Sequence, residues 1–187
     1  MGQSLWFISR ATGTVSLVLL TVIAVLGIVT AGRRSPHGES ATIVMALHRW
    51  LSLGMAAFLA THIVTAIADG YVDISWVATI VPFASAYATL WVALGTLAFD
   101  LFIAVLVTSI FRHRLRERTW RWVHWFTYAM WPVALVHGFA LSTANEPLLR
   151  WTTVGCGVVA LAAAAWRFTR THDDASRRTA VNAQEWS

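Results

Sequence analysis

Four of the seven histidines fall inside long apolar stretches, His48 and His62 in one, His124 and His137 in another. Histidine is rare in such surroundings and is kept there mainly for function. His48 and His62 are 14 residues apart, so on one helix they return to within about 40° of the same face and lie about 21 Å apart along the axis. His124 and His137 are 13 residues apart, about 20 Å of rise but about 140° short of a full turn in an ideal helix. Pro132 lies between them and is expected to kink or rewind the backbone so that both rings aim at the same neighbour. Two neutral imidazoles facing each other across a gap can supply both axial ligands of a haem iron. That arrangement leaves no position open for substrate and suits electron transfer. Zinc fits less well, because each level offers two ligands and no Cys or acid accompanies them.

The elements that carry these residues must live in lipid. Of 187 residues, 57% are hydrophobic and only 12% charged, about half the charged fraction of a soluble domain, and the mean hydropathy is +0.61. A water-soluble enzyme is excluded. The net charge of +5 comes from 14 basic residues, all of them arginine. The single Cys156 rules out a disulfide framework and any multi-cysteine metal site; it lies in a run of small residues that suits close helix packing. The length allows one membrane domain and no second folded domain.

Five stretches, roughly 11–31, 42–68, 89–111, 121–142 and 148–168, have the length of about 20 residues that a transmembrane helix needs. Closed backbone hydrogen bonding makes helices their only plausible form. The first lacks a cleavage pattern and is expected to stay as an anchor. The fold class predicted is all-α: an integral membrane bundle of five helices. Residues 1–170 form its transmembrane domain, and 171–187 a polar, weakly ordered cytoplasmic tail. Arginines set the orientation. Arg33 and Arg34, the cluster Arg112, Arg114, Arg116, Arg118 and Arg121, and the tail arginines Arg167, Arg170, Arg177 and Arg178 mark the inside. The second loop carries Asp69 and Asp73 and no basic residue, and its apolar piece Trp76–Phe83 is too short to span and is expected to lie along the outer interface. The amino terminus is then outside and the carboxyl terminus inside. Helices two and four run in the same direction, and the four imidazoles make two pairs at matched depths, one near each membrane face. His37, His113 and His172 lie in arginine-rich segments and read as solvated.

The chain resembles the ferric-reductase-like transmembrane family, which includes the membrane domain of NADPH oxidases and the membrane haem subunit of bacterial methionine sulfoxide reductase. The resemblance rests on HRWLSLGMAAFLATH from His48 to His62 and WRWVHWFTYAMWPVALVH from Trp120 to His137. VPFASAY from Val81 to Tyr87, Leu94–Gly95, Thr108–Ser109 and the RATG beginning at Arg10 agree as well. It covers about Trp6 to Trp166. It implies two haem b cofactors, with His48 paired to His124 and His62 to His137 as iron ligands, and a location in the plasma (inner) membrane of a bacterium. Larger members carry a cytoplasmic flavin and nicotinamide module after the last helix, and many have six helices. Only about twenty residues follow the last helix here, so the expected electron donor is a separate flavoprotein, a quinol or another carrier.

Haem propionates need cationic or hydrogen-bonding partners near the interfaces. Arg49, Arg121 and Arg112 are the inner candidates, and Arg10 and Arg150 the outer ones; ordinary snorkelling is the rival explanation for each. Trp131 lies between the two levels and could bridge the macrocycles. Asp100 sits mid-span in a structural or proton-handling role. Asp69 and Asp73 could attract a cationic acceptor such as ferric iron, and the third-loop arginines an acidic donor protein.

The function expected is a membrane diheme cytochrome b. It carries electrons from a cytoplasmic or membrane donor to an outer-face acceptor such as ferric iron or a partner reductase, with membrane lipid around it and no nucleic-acid partner. A quinol-linked cytochrome, a histidine-relay transporter of protons or metal ions, and a purely structural anchor are the alternatives.

Overall fold

Apolar runs with no water to satisfy their peptides close their hydrogen bonds internally, and the chain does so almost everywhere. The computed structural model describes residues 2–30, 39–70, 72, 74–143 and 146–185, with side chains for 4–30, 40–70, 72, 74–143 and 146–169. Six α-helices follow one another: α1 (Gly2–Thr30), α2 (Glu39–Ala68), α3 (Thr89–Ile110), α4 (Glu117–Trp125), α5 (Thr127–Leu141) and α6 (Pro147–Glu185). Among the described residues there is no strand. Arg33, Arg34, His37 and Asp73, singled out above, lie outside the described residues, as do the side chains of Arg170, His172, Arg177 and Arg178.

Among the described residues four helices are long and apolar enough to cross a membrane, within Ser4–Thr30, Ser40–Ala68, Thr89–Ile110 and Pro147–Thr169. The stretch 121–142, expected as one further span, is divided into α4 and α5 at Phe126. There the backbone tightens: the Phe126 N–H donates to the Val123 carbonyl at 3.0 Å, while Ala129 and Met130 both donate back to the Phe126 carbonyl. The reason lies in composition. The sequence of α4, ERTWRWVHW, has too many charges for the hydrocarbon, whereas the 15 residues of α5 are apolar and rise only about 22 Å. Pro132 sits inside α5 without ending it, so the break expected near Pro132 lies six residues earlier. At the carboxyl end helix α6 runs on to Glu185.

Several hydroxyls of α1 are settled within the helix. Thr14, Ser16 and Thr21 each return their hydroxyl to the carbonyl four residues back, which removes the cost of a free donor in an apolar surrounding. α1 packs on α2, α5 and α6, and α3 packs on α5. Leu20, Met55, Ala98, Phe102 and Met130 form the buried core, with Trp131 and Phe99 against it. The periphery is apolar: Ile43, Val64, Leu148, Trp151, Leu161 and Phe168 are all more than 60% exposed, a surface fit for acyl chains. The piece expected at the outer interface is a short 3-10 turn, Trp76–Thr79, capped by Ser75. Thr96 donates to the Ala78 carbonyl at 2.6 Å and pins it to α3, and Trp76, Ile80 and Phe83 face outward.

Candidate haem-ligand pairs

The break at Phe126 matters for the site because His124 rides on α4 and His137 on α5, so the phase of one ideal helix does not relate them. His48 of α2 stands opposite His124, ring centroids 6.3 Å apart and planes inclined 43°. His62, further along α2, stands opposite His137 at 6.4 Å and 80°. α2 therefore runs parallel to the α4–α5 pair, and the four rings form two couples at two levels.

The couple at the far end of α2 is held from behind. His62 Nδ1 lies 2.7 Å from the Ser9 carbonyl on α1, and His137 Nδ1 lies 2.8 Å from the Trp91 carbonyl on α3. A carbonyl can only accept, so in each ring Nδ1 carries the proton and, in the neutral imidazole, Nε2 keeps its lone pair for a metal. The Ser9 hydroxyl adds a bond to the His62 carbonyl at 3.2 Å. Both acceptor carbonyls lie four residues before a glycine, Ser9 before Gly13 and Trp91 before Gly95. A Cβ at Gly13 would stand 2.7 Å from His62 Nδ1, and one at Gly95 would stand 2.5 Å from His137 Cε1. Each imidazole thus enters a notch that only glycine leaves open. α1 and α3 carry none of the four histidines, yet they orient two of them.

The other couple is held differently. Trp120 stacks on His124, centroids 4.9 Å apart at 24°, and the Arg112 guanidinium lies 4.2 Å over the indole. His124 Nδ1 and Trp120 Nε1 are buried without a hydrogen-bond partner.

These distances test the cofactor. Two metal–nitrogen bonds of about 2.0 Å in line with two imidazole radii of about 1.1 Å place ring centroids about 6.2 Å apart, and both couples match that within a few tenths of an ångström. Among the described residues no group of three or more His, Cys, Asp or Glu converges. A cavity of about 260 Å³ reaches from the loop after α2 into the core, and His62, His137, Gly13, Gly95, Arg10 and Asp69 are in its wall. The donor set fits haem.

The remaining candidates separate. Trp131 is in the core between the levels, its Nε1 donating to the Thr21 hydroxyl at 3.0 Å. Arg10 lines the cavity; it donates to the Leu141 carbonyl at 2.7 Å, pairs with Glu146 at 3.3 Å and lies over Trp6. Arg49 is exposed beside His48. Arg121 is paired with Glu117 of its own helix on an exposed face, and Arg150 lies over Phe139. Asp100 is half-buried on α3. Asp69, expected to attract a cationic acceptor, is only 5% exposed and lies in the cavity wall. Gly13 and Gly95 were visible in the sequence only as matching letters, and Ser9, Glu146 and Trp120 carried no signal of their own.

The two ion pairs differ in surroundings, and their removal separates them. Glu146→Ala is expected to lower stability by roughly 2 kcal/mol, since it leaves a largely buried guanidinium short of its anion, whereas Arg121→Ala is expected to cost under about 0.5 kcal/mol. Thermal unfolding of the purified protein in detergent reads both; equal effects would refute the distinction.

Residues 12–136 match the family model described as ferric reductase like transmembrane component. No curated protein matches the chain, and no solved structure does.

Proposed function

The chain belongs to the ferric reductase like transmembrane component family, and from that premise we propose that it is a diheme cytochrome b of the plasma membrane. Its coarser assignment, a membrane electron-transfer component of oxidoreductase type, goes with the family. The finer reading is carried by one observation: two imidazole couples, at 6.3 Å and 6.4 Å, stacked between parallel neighbours.

In this reading His48 with His124 and His62 with His137 would hold a haem at each level, and α5 with the uncharged last turn of α4 would make the fifth crossing. The arginine-rich turn after α3 faces the cytoplasm, which places the His48–His124 couple on the inner side and the His62–His137 couple on the outer side. Haem bound at each couple supplies a one-electron carrier with both axial positions filled. The protein's own part is orientation and exclusion. The Ser9 and Trp91 carbonyls hold the outer rings in the metal-binding tautomer, and the apolar core keeps water from the space between the levels. Arg10, which Glu146 and the Leu141 carbonyl already engage, is the outer candidate cation for a propionate, and Arg49 with Arg112 the inner ones; Arg121 is engaged by Glu117 in the same way. Trp131 lies across the interval the electron must cross. The donor is a separate flavoprotein or a quinol at the inner face, and the acceptor, ferric iron or a partner reductase, meets the chain at the outer face.

A visible spectrum of the purified protein before and after dithionite tests this. Two haems per chain, both low-spin, are expected; a colourless protein would sink the proposal and favour a histidine relay. Trp131→Leu is expected to slow electron passage between the haems with both retained, and stopped-flow reduction that leaves the two steps unchanged would remove Trp131 from the path. Thr21→Val, which takes away only the indole's acceptor, should cost about 1 kcal/mol.

A further inference from the structure

Resting on the two-haem reading above, we propose that the outer couple takes haem first and holds it more tightly, and that the inner couple is the one that fills and empties. Both outer rings enter notches in neighbouring helices, and each gives its Nδ1 proton to a main-chain carbonyl. Their orientation and tautomer are set before any metal arrives. Partners of this kind behind a metal-bound histidine change affinity by about 10- to 100-fold. A cavity already stands beside the outer couple, with His62 and His137 in its wall and neither His48 nor His124.

The inner couple lacks that support. His124 sits in α4, nine residues long and separated from α5 at Phe126. Its Nδ1 is buried without a hydrogen-bond partner, and what faces its ring is the Trp120 indole with Arg112 beyond. Stacking fixes the plane of a ring but not which nitrogen carries the proton. Binding there must settle the tautomer and the position of α4 together, and that ordering is subtracted from the affinity. A chain holding only the outer haem stores an electron at the outer face and passes none across. The inner site then decides which chains conduct.

The test is haem extraction from the purified holoprotein by an excess of apomyoglobin, followed by absorbance. Affinity differences reside mainly in dissociation, so two phases differing at least tenfold in rate are expected. His48→Ala should keep the slow phase and lose the fast one, and His62→Ala the reverse. Should His62→Ala fail to fold, Gly13→Ala, which crowds His62 by one methyl, should speed the slow phase alone. Loss of both haems at one rate, or a slow phase that disappears in His48→Ala, would overturn the proposal while leaving two haems in place. A protein that carries no haem, or one haem in every variant, overturns the two-haem reading and this proposal with it.

Discussion

His137→Ala is expected to leave the purified protein with about half its haem and no electron transfer across the bilayer. His137 and His62 face each other at 6.4 Å, and a haem bound there would be left with one of the two imidazoles that would hold it. His124→Ala is expected to remove the other half by the same reasoning, since its partner His48 stands at 6.3 Å. Haem content by pyridine haemochrome and reduction of an impermeant ferric chelate outside proteoliposomes, with reductant enclosed, measure the two effects. Retention of two haems in either variant would show that the pairing is different. Because the two couples lie at separate levels, the variants should not affect each other's remaining haem, and loss of both from a single replacement would mean that the bundle itself had failed.

A single methyl should do nearly as much as the loss of a ligand. In Gly95→Ala the new Cβ would stand 2.5 Å from His137 Cε1 and 2.7 Å from Nδ1, closer than any real contact. The ring must withdraw and its bond to the Trp91 carbonyl must break. The tautomer is then no longer held, and a 10- to 100-fold loss of outer haem affinity is expected. The inner haem should stay, so the difference appears as half-occupancy at limiting haem and recovery at excess. Gly155→Ala is the control, since no atom lies within 4 Å of the added Cβ; its haem content should equal that of the unaltered chain. Full outer occupancy in Gly95→Ala at limiting haem would show that the notch does not matter.

The positions of the four histidines along two spans are read directly from residue spacing and the charge of the loops, because depth in a membrane is a one-dimensional property of the sequence. Rotation about the helix axis is not. The ideal 13-residue phase put His124 and His137 on different faces, and Pro132 was the visible reason to doubt it. The helix is instead divided at Phe126, where no residue of special backbone preference stands. Nor could the glycines' part be read, since it depends on which helices are neighbours. Gly13 answers to a histidine 49 positions away and Gly95 to one 42 away, across contacts of α1 with α2 and of α3 with α5. The burial of Asp69 was hidden for a related reason: an acid in a polar loop reads as exposed until its place in the cavity wall is seen.

The acceptors behind His62 and His137 belong to the peptide backbone, and every amino acid at position 9 or 91 brings the same carbonyl oxygen. Side-chain substitution there leaves the proton acceptor chemically intact, so the protonation pattern of these rings is immune to changes that would disable an aspartate or glutamine in the same role. The fragility has been moved to two sites where a net gain of one carbon and two hydrogens is enough to close the door.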